Sequence, residues 1–494
     1  MGNSVTGEPE MGDRVTGATS KSRSSLRSEP VTFFVCFICP RGYKNDMSQR
    51  EAAAERGVVE AKAVVRLRRP ERGQLAWVAQ CAEDLVGPTH PVRMVAAVVA
   101  KLDLSRFQEA IQAREGVAGR DATDPELLVA LWLYGCIRGI GSARELARGC
   151  EESAPFRWLC GGVTVNHRLL SDFRGDQSAA LDELFTQVIA SLVEQGLVTV
   201  SRVSQDGVRV RVSAGAGSFR RAERLQKLLA ETEQHVVELR RQLEAPTEFA
   251  AVTAKQVARR KRVLAEKQQR LQQAMAQLPE LKRQQEEAAQ RAGQGGRGKK
   301  IREKELRVST SDAEARVMKM PNGGFHPAVN VQLASDTVSR AIVGVEVSQA
   351  GSDSAGLSEP MRRQVEQRSG GKVEQHLLDG GYLRREDIER AHGQEVELFV
   401  PPKPARTAEK RGRELELKAG DSAAIAAWKQ RMASVEGQEI YKQRASTSET
   451  VNADLRSYRG LTQLTVRGLN KIRCVALWCA LAYNVMHFGK ALLG

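Results

Sequence analysis

The sequence predicts an α/β protein: a mixed sheet with helices on its faces, preceded by an all-α N-terminal domain and interrupted by a helical-hairpin insertion. Three observations carry this. In VSQDGVRVRVSAG, Val208, Val210 and Val212 alternate with Arg209, Arg211 and Ser213, the period of a strand with one buried face. From about Pro88 to Val200 the apolar residues recur at helical spacing instead. After Gly217, Leu225, Leu229, Thr232, Val236, Leu239 and Leu243 alternate steps of four and three until Pro246, and Val257, Leu264, Leu271 and Leu278 follow one heptad apart.

The elements follow in order. Residues 1–46 are rich in Gly, Ser and Arg without a period, a disordered tail or sequence upstream of a true start at Met47. Residues 47–197 form the helical domain. PELLVALWLYGCIRG opens with Pro at a first helical position and ends on Gly. Ser142 and Glu145 have capping-box spacing, and Leu181, Leu184, Phe185, Val188 and Leu192 share a helix face. VNHRLLSDFRGD between these helices is expected to be a basic loop, either a DNA contact or an ordinary helix–loop–helix corner. Residues 198–220 and 305–494 make the sheet domain. Its strands are FHPAVNVQLAS, RAIVGVEV, HLLDGG and VELFVPPKP, and a long helical segment runs from Ala423 to about Arg456 before the apolar KIRCVALWCALAYNVMHF. Residues 221–304 are the inserted hairpin, returned by the glycine-rich basic link GQGGRGKK.

Composition narrows the partners. Among 494 residues, 75 Lys and Arg outnumber 60 Asp and Glu, a formal net charge of +15. That balance favours a polyanion, because each neutralised phosphate releases condensed counterions. Of eight Cys only Cys36 and Cys39 have CxxC spacing, so reduced thiols in a cytoplasmic protein are expected. No apolar run approaches the ~20 residues of a membrane span; VTFFVCFIC, Val31 to Cys39, is the nearest.

The chemistry lies in carboxylates. Asp206 is followed by Gly and Asp379 by two Gly, which is a hairpin signal. Both also sit at the ends of apolar strands, where open α/β sheets place ligand crevices. On one helix, Tyr441, Arg444, Glu449, Asn452 and Arg456 spread over an arc of roughly 140°. Ser446 and Glu449 also have capping-box spacing, so Glu449 could instead start a helix. Asp312, Asp336 and Asp353 stand in turn-like surroundings and are expected to be turn or cap residues. His326 and His376 are expected to be structural.

QDGVRVRVSAG with SFRR, then LLDGGY, then Tyr441-x2-Arg444-x4-Glu449-x6-Arg456 resemble the DDE transposases of bacterial insertion sequences, in the branch with a Tyr-Arg-Glu-Lys signature. PELLVALWLYG, GSARELARGC and SDFR resemble that branch's helical N-terminal domain, and STSDAEARVMKM and FHPAVNVQLASD its middle. Four residues separate Arg444 from Glu449 where the common signature has three, and Arg456 stands where Lys is usual. Glu439 and then Glu436 are the alternatives to Glu449.

The resemblance implies a ribonuclease-H-like sheet domain in which Asp206, Asp379 and Glu449 hold two Mg²⁺ ions, Mn²⁺ being a possible substitute. It implies double-stranded DNA, both element ends and target, as the partner, and a homodimer in a synaptic complex. Tyr441, Arg444, Arg456, Arg209, Arg220 and Arg221 are the expected DNA contacts. Three other readings remain open from sequence: a DNA-binding protein without catalysis, a nuclease that does not join ends, and a coiled-coil scaffold.

Overall fold

The computed structural model describes residues 79–494 except 110, 114–115, 117, 245–253, 294–295, 352, 354–355, 403–412 and 414. The expectations for residues 1–46, for a start at Met47 and for Cys36 and Cys39 lie outside the described residues. The chain divides into two compact units, Met1–Asp84 and Leu85–Gly494. In the described part of the first, the Cys81 backbone N–H and thiol both donate to the Asp84 carboxylate at 3.0 Å. Everything below belongs to the second.

Its helical layer comprises α1 (Pro91–Lys101), α2 (Ser105–Gln108), α3 (Pro125–Ile137), α4 (Ala143–Glu152), α5 (Ala154–Cys160), α6 (His167–Asp176) and α7 (Ser178–Glu194). The cap expected at Ser142 is present, and Asp124 supplies another that the sequence pattern did not single out. The Asp124 carboxylate accepts from the Glu126 N–H to start α3, and Ser142 accepts from the Glu145 N–H to start α4. All five apolar residues expected on one face of α7 are buried. VNHRLLSDFRGD is a correction: it forms α6, not a loop. Asn166 caps it by accepting from the N–H groups of Arg168 and Leu169 at 3.0 Å, and Leu170 and Phe173 enter the core.

The main sheet is centred on β1 (Arg202–Arg211). The two-residue strands β2 (Phe219–Arg220) and β3 (Val308–Ser309) form a separate ribbon. On one side β1 runs antiparallel to β5 (Phe325–Asp336), whose far edge pairs first with β4 (Arg316–Lys319) and then with β6 (Ile342–Ser348). On the other side β1 runs parallel to β7 (Gln375–Leu378), which is parallel to β8 (Glu397–Phe399). Asp206-Gly207 is therefore no hairpin corner. It lies inside β1, with Asp206 opposite Leu333 and Gly207 opposite Gln332.

The insertion leaves from the ribbon as α8 (Ala222–Glu244) and α9 (Ala254–Arg291) and returns through α10 (Gly296–Glu303). The expected glycine-rich link is thus partly helical. Leu225, Leu271, Ala274 and Val308 are buried together where the hairpin meets the ribbon.

α11 (Ser358–Ser369) and α12 (Arg385–Gly393) cover the sheet. The closing segment is not one helix. It runs as α13 (Ala423–Ala433), α14 (Val435–Arg444), one π-helical turn (Ala445–Glu449) and α15 (Thr450–Ser457), with Ser422 and Ser434 capping α13 and α14.

The final helix, α16 (Leu469–Leu493), is long and apolar enough to cross a membrane by length and composition, which corrects the expectation that no apolar run approaches a span. Most of it is buried as the spine of the protein. It packs on α7, α3, α6, α1 and β6, so a single apolar core runs from the helical layer into the sheet. Asn484 fixes it to the sheet, accepting from the Ile342 N–H at 3.0 Å and donating to the Ile342 carbonyl at 2.8 Å. Leu477, Leu481 and Trp478 are fully buried, each apolar side chain of this size being worth about 1.5–3 kcal/mol.

Candidate active site

Register brings the two aspartates together. Gln205 and Leu378 are paired across the parallel strands, so Asp206 and Asp379 are the next residue on each. α14 lays Arg444 over them: its Nη2 stands 3.2 Å from Asp206 Oδ1 and 4.0 Å from Asp379 Oδ2. The Gly207 N–H donates to Asp206 Oδ1 at 2.9 Å, and the Asn452 amide of α15 donates to Asp206 Oδ2 at 3.0 Å. The helices are pinned to β1 by a 2.5 Å hydrogen bond between the Ser448 and Ser204 hydroxyls.

Asp206 is held above the usual carboxylate range. Burial is the main cause, with Asp379 and Asp353 adding repulsion, while Arg444 and the Gly207 N–H pull the other way. Tyr441 is half-buried beside the pair. Burial, joined by the negative charge of Asp379 and Asp206, pushes its hydroxyl up to about 12, so at neutral pH it is a neutral hydrogen-bonding group.

The π-helical turn explains the long spacing of the signature. Arg444 and Glu449 are five residues apart, which on an α-helix would rotate Glu449 by about 100° away from the i+4 position. A π turn closes at i+5 rather than i+4, and the turn here spans Ala445–Glu449. The turn falls on the residues that follow Arg444 and end at Glu449, where the spacing carries its extra residue. Glu449 is exposed and stands one turn before Asn452, which touches Asp206.

Behind Asp206 lies a polar layer that the sequence did not disclose. Asn330 and Gln332 of β5 donate to Asp353 Oδ1 at 2.7 and 3.2 Å. The Gln205 amide donates to Gln332 Oε1 at 2.8 Å, and the Tyr382 hydroxyl donates to the same oxygen. A Cβ at Gly207 would overlap Gln332 Nε2 and stand 2.6 Å from both Asn330 Oδ1 and Asp353 Oδ1. Glycine is required there by the neighbouring strand's side chains. Asp353 stands in a turn, as expected, and its carboxylate in addition anchors this layer. Its signal in sequence was absent, because Asn330, Gln332 and Gly207 come together only through strand register.

The remaining expected residues are spread more widely. Arg456 lines a cleft of about 300 Å³ with Arg209 and Arg211, and the Arg209 guanidinium donates to the Lys319 carbonyl at 3.0 Å. Arg220 lines a second cleft, beside the insertion. Arg221 is ion-paired with Glu305. Glu439 is ion-paired with Lys442, and Glu436 lies exposed in the first turn of α14. Asp336 accepts from the Ser339 N–H and hydroxyl in a turn, and Asp312 accepts from the Glu314 N–H, as expected of both. His376 is fully buried in β7 with neither ring nitrogen hydrogen-bonded, and burial lowers it to about 3.

The donor chemistry suits a hard divalent cation: adjacent carboxylates on rigid strands, with only oxygen ligands at hand. Among the described residues no group of three His, Cys, Asp or Glu stands ready to enclose one. The positive charge between the aspartates is supplied by Arg444.

An acidic pair at the centre of a mixed sheet, capped by a helix-borne guanidinium, marks an α/β protein with a carboxylate-centred site. Two family models match the chain: Transposase domain (DUF772) over residues 80–176 and Transposase DDE domain over 401–488. The first covers α1 to α6 and the second carries Tyr441, Arg444, Glu449 and Arg456. These matches support a DDE transposase with a helical N-terminal transposase domain, and in general terms a DNA-cutting and DNA-transferring enzyme. No curated protein and no solved structure matches it.

Proposed function

We propose that this transposase cleaves DNA at the ends of an insertion sequence and joins the freed 3′-hydroxyls to target DNA, using Asp206, Asp379 and Glu449 in a ribonuclease-H-like domain. The observation that carries this is the meeting of Asp206, Asp379 and Arg444, from three distant parts of the chain, on one face of the sheet. The sheet order supports the domain reading, with β1 flanked by antiparallel β5 on one side and parallel β7 and β8 on the other.

The three carboxylates would hold two Mg²⁺ ions, or Mn²⁺ in their place. When bound, such a pair stabilises both the attacking and the leaving oxygen of an in-line displacement. The chain's own groups do the positioning. Arg444 balances the aspartates in the resting protein and turns to a phosphate oxygen when substrate arrives. Tyr441 donates its proton-bearing hydroxyl to the backbone beside the cut. Arg209, Arg211 and Arg456 hold the flanking phosphates. Water attacks the phosphorus at the element end and displaces the 3′-oxygen, and the released 3′-hydroxyl then attacks a target phosphorus in the same site, displacing the target strand's own 3′-oxygen. Two ends must be processed together, which calls for a homodimeric synaptic complex working on cytoplasmic DNA.

The experiment is Mg²⁺-dependent nicking of DNA that carries the element ends. Cleavage in the wild type and none in Asp206→Asn is the expected result. A second reading, DNA binding without chemistry, is favoured by Arg444 already neutralising the aspartates. Metal-independent binding with no product from nicked or pre-cut ends would establish it instead.

A further inference from the structure

We propose that the inserted hairpin and the ribbon at its base form a separate phosphate-binding cleft that grips the backbone of duplex DNA away from the acidic pair. The inference rests on the transposase reading and assigns the insertion a task within it. The cleft holds about 620 Å³ and is lined by Arg220, Arg224, Lys267, Arg270 and Arg467, with hydroxyls from Thr310 and Ser311. No acidic side chain is among its lining residues.

Charge balance separates these cations from their neighbours. Elsewhere on α9, Arg262 pairs with Glu266 at 2.8 Å and Arg283 with Glu280 at 2.7 Å. In the cleft only Arg224 has a carboxylate partner among the described residues, Glu231 at 3.2 Å. Arg467 donates its Nε to the Ser213 carbonyl at 2.9 Å and is otherwise exposed. Five cations facing one cavity repel each other, and a bound polyanion removes that repulsion. The walls are rigid, because Leu225, Leu271, Ala274 and Val308 are buried beneath them.

Position identifies the occupant as a nucleic-acid backbone. The cavity exceeds one phosphate, and its arginines and hydroxyls are the groups that position a duplex without reading its bases. Arg467 is tied to Ser213, two residues beyond Arg211, which lines the cleft shared by Arg209 and Arg456. A cationic track therefore follows the continuation of β1 outward from the strand that carries Asp206.

The test measures binding of an arbitrary-sequence DNA duplex across a salt series for the wild type, Lys267→Gln/Arg270→Gln and Arg467→Gln. Each lost phosphate contact lowers the slope of log affinity against log salt by about 0.9, so the double variant should lose about 1.8 and bind several-fold more weakly. Arg467→Gln should lose about half that slope. Unchanged melting temperature checks that both remain folded. Wild-type affinity and slope in the double variant would overturn the cleft. So would unaltered DNA binding together with lost binding of poly-glutamate, which would make the occupant an acidic protein. Asp206→Asn serves only as the cleavage control, because it also frees Arg444 for a phosphate. If it cleaves as the wild type does, the catalytic reading fails while the cleft result stands.

Discussion

The dipeptide Asp-Gly occurs at 206–207 and again at 379–380, and the two copies do different structural work. Asp206-Gly207 lies within β1, where Gly207 has no room for a Cβ because three polar side-chain atoms fill that space. Asp379 ends β7 and caps a single 3-10 turn, Gly380–Tyr382. A Cβ at Gly380 would meet Pro401 at 3.4 Å, and one at Gly381 would meet Asp353 at 3.5 Å, both ordinary contacts. The carboxylates differ as well, the Asp206 side chain being 21% exposed and that of Asp379 52%. Glycine after aspartate is a turn signal only when the backbone reverses. At 207 it is a packing requirement set by a strand more than a hundred residues away.

The largest expected effect separates the two acids by stability. Both Asp206→Asn and Asp379→Asn should reduce strand cleavage to background. Asp206→Asn should melt no lower than the wild type at neutral pH. Burial raises this acid, so the folded state binds its proton more tightly than the unfolded chain does. The cost of the charge is thus fully present above the folded value and vanishes below the unfolded one. A marked loss of thermal stability in Asp206→Asn would break this half of the comparison.

The next effect compares the glycines. Gly207→Ala forces an overlap with Asn330, Gln332 and Asp353 and should cost about 1–3 kcal/mol in urea unfolding. Gly381→Ala should stay within about 1 kcal/mol of the wild type. Equal costs at both positions would remove the distinction.

A pH effect should follow from His376. Burial lowers it from the ordinary 6.5 of a histidine to about 3, so the unfolded chain binds the extra proton between those limits. Stability should fall as pH drops through that window, and His376→Leu should flatten the decline. An unchanged acid profile would exclude the histidine as its source.

What could be read from sequence follows the range of the interaction involved. The proline that opens α3, the helix cap at Ser142, the buried face of α7 and the strands around Asp379 are set by neighbours a few residues apart, and they stand where patterning puts them. Spacing put Tyr441, Arg444, Glu449, Asn452 and Arg456 on one helix, whereas a π turn at Ala445–Glu449 divides that segment. The anchoring role of Asp353 was not legible, since its partners Asn330 and Gln332 reach it only across the fold. Asn166 was missed for a different reason: the cap starts a helix whose basic, polar surface looks like a loop.

The smallest effect should come from the π turn, and it offers the sharpest test of Glu449. Deleting a residue from a helix ordinarily rotates everything beyond it by about 100°. Removing Ala453 from α15 should therefore swing Leu455 out of the core and abolish activity. Ala445 is exposed and lies inside the π turn. Its deletion leaves three residues between Arg444 and Glu449 and lets the turn close at i+4. Arg444 and Glu449 then keep their common face, and Asn452 keeps its place against Asp206. Mg²⁺-dependent cleavage should survive this deletion within about ten-fold, a barrier change near 1.4 kcal/mol. If deletion of Ala445 is as damaging as deletion of Ala453, the π turn does not compensate for the long spacing, and the case for Glu449 over Glu439 loses its structural basis.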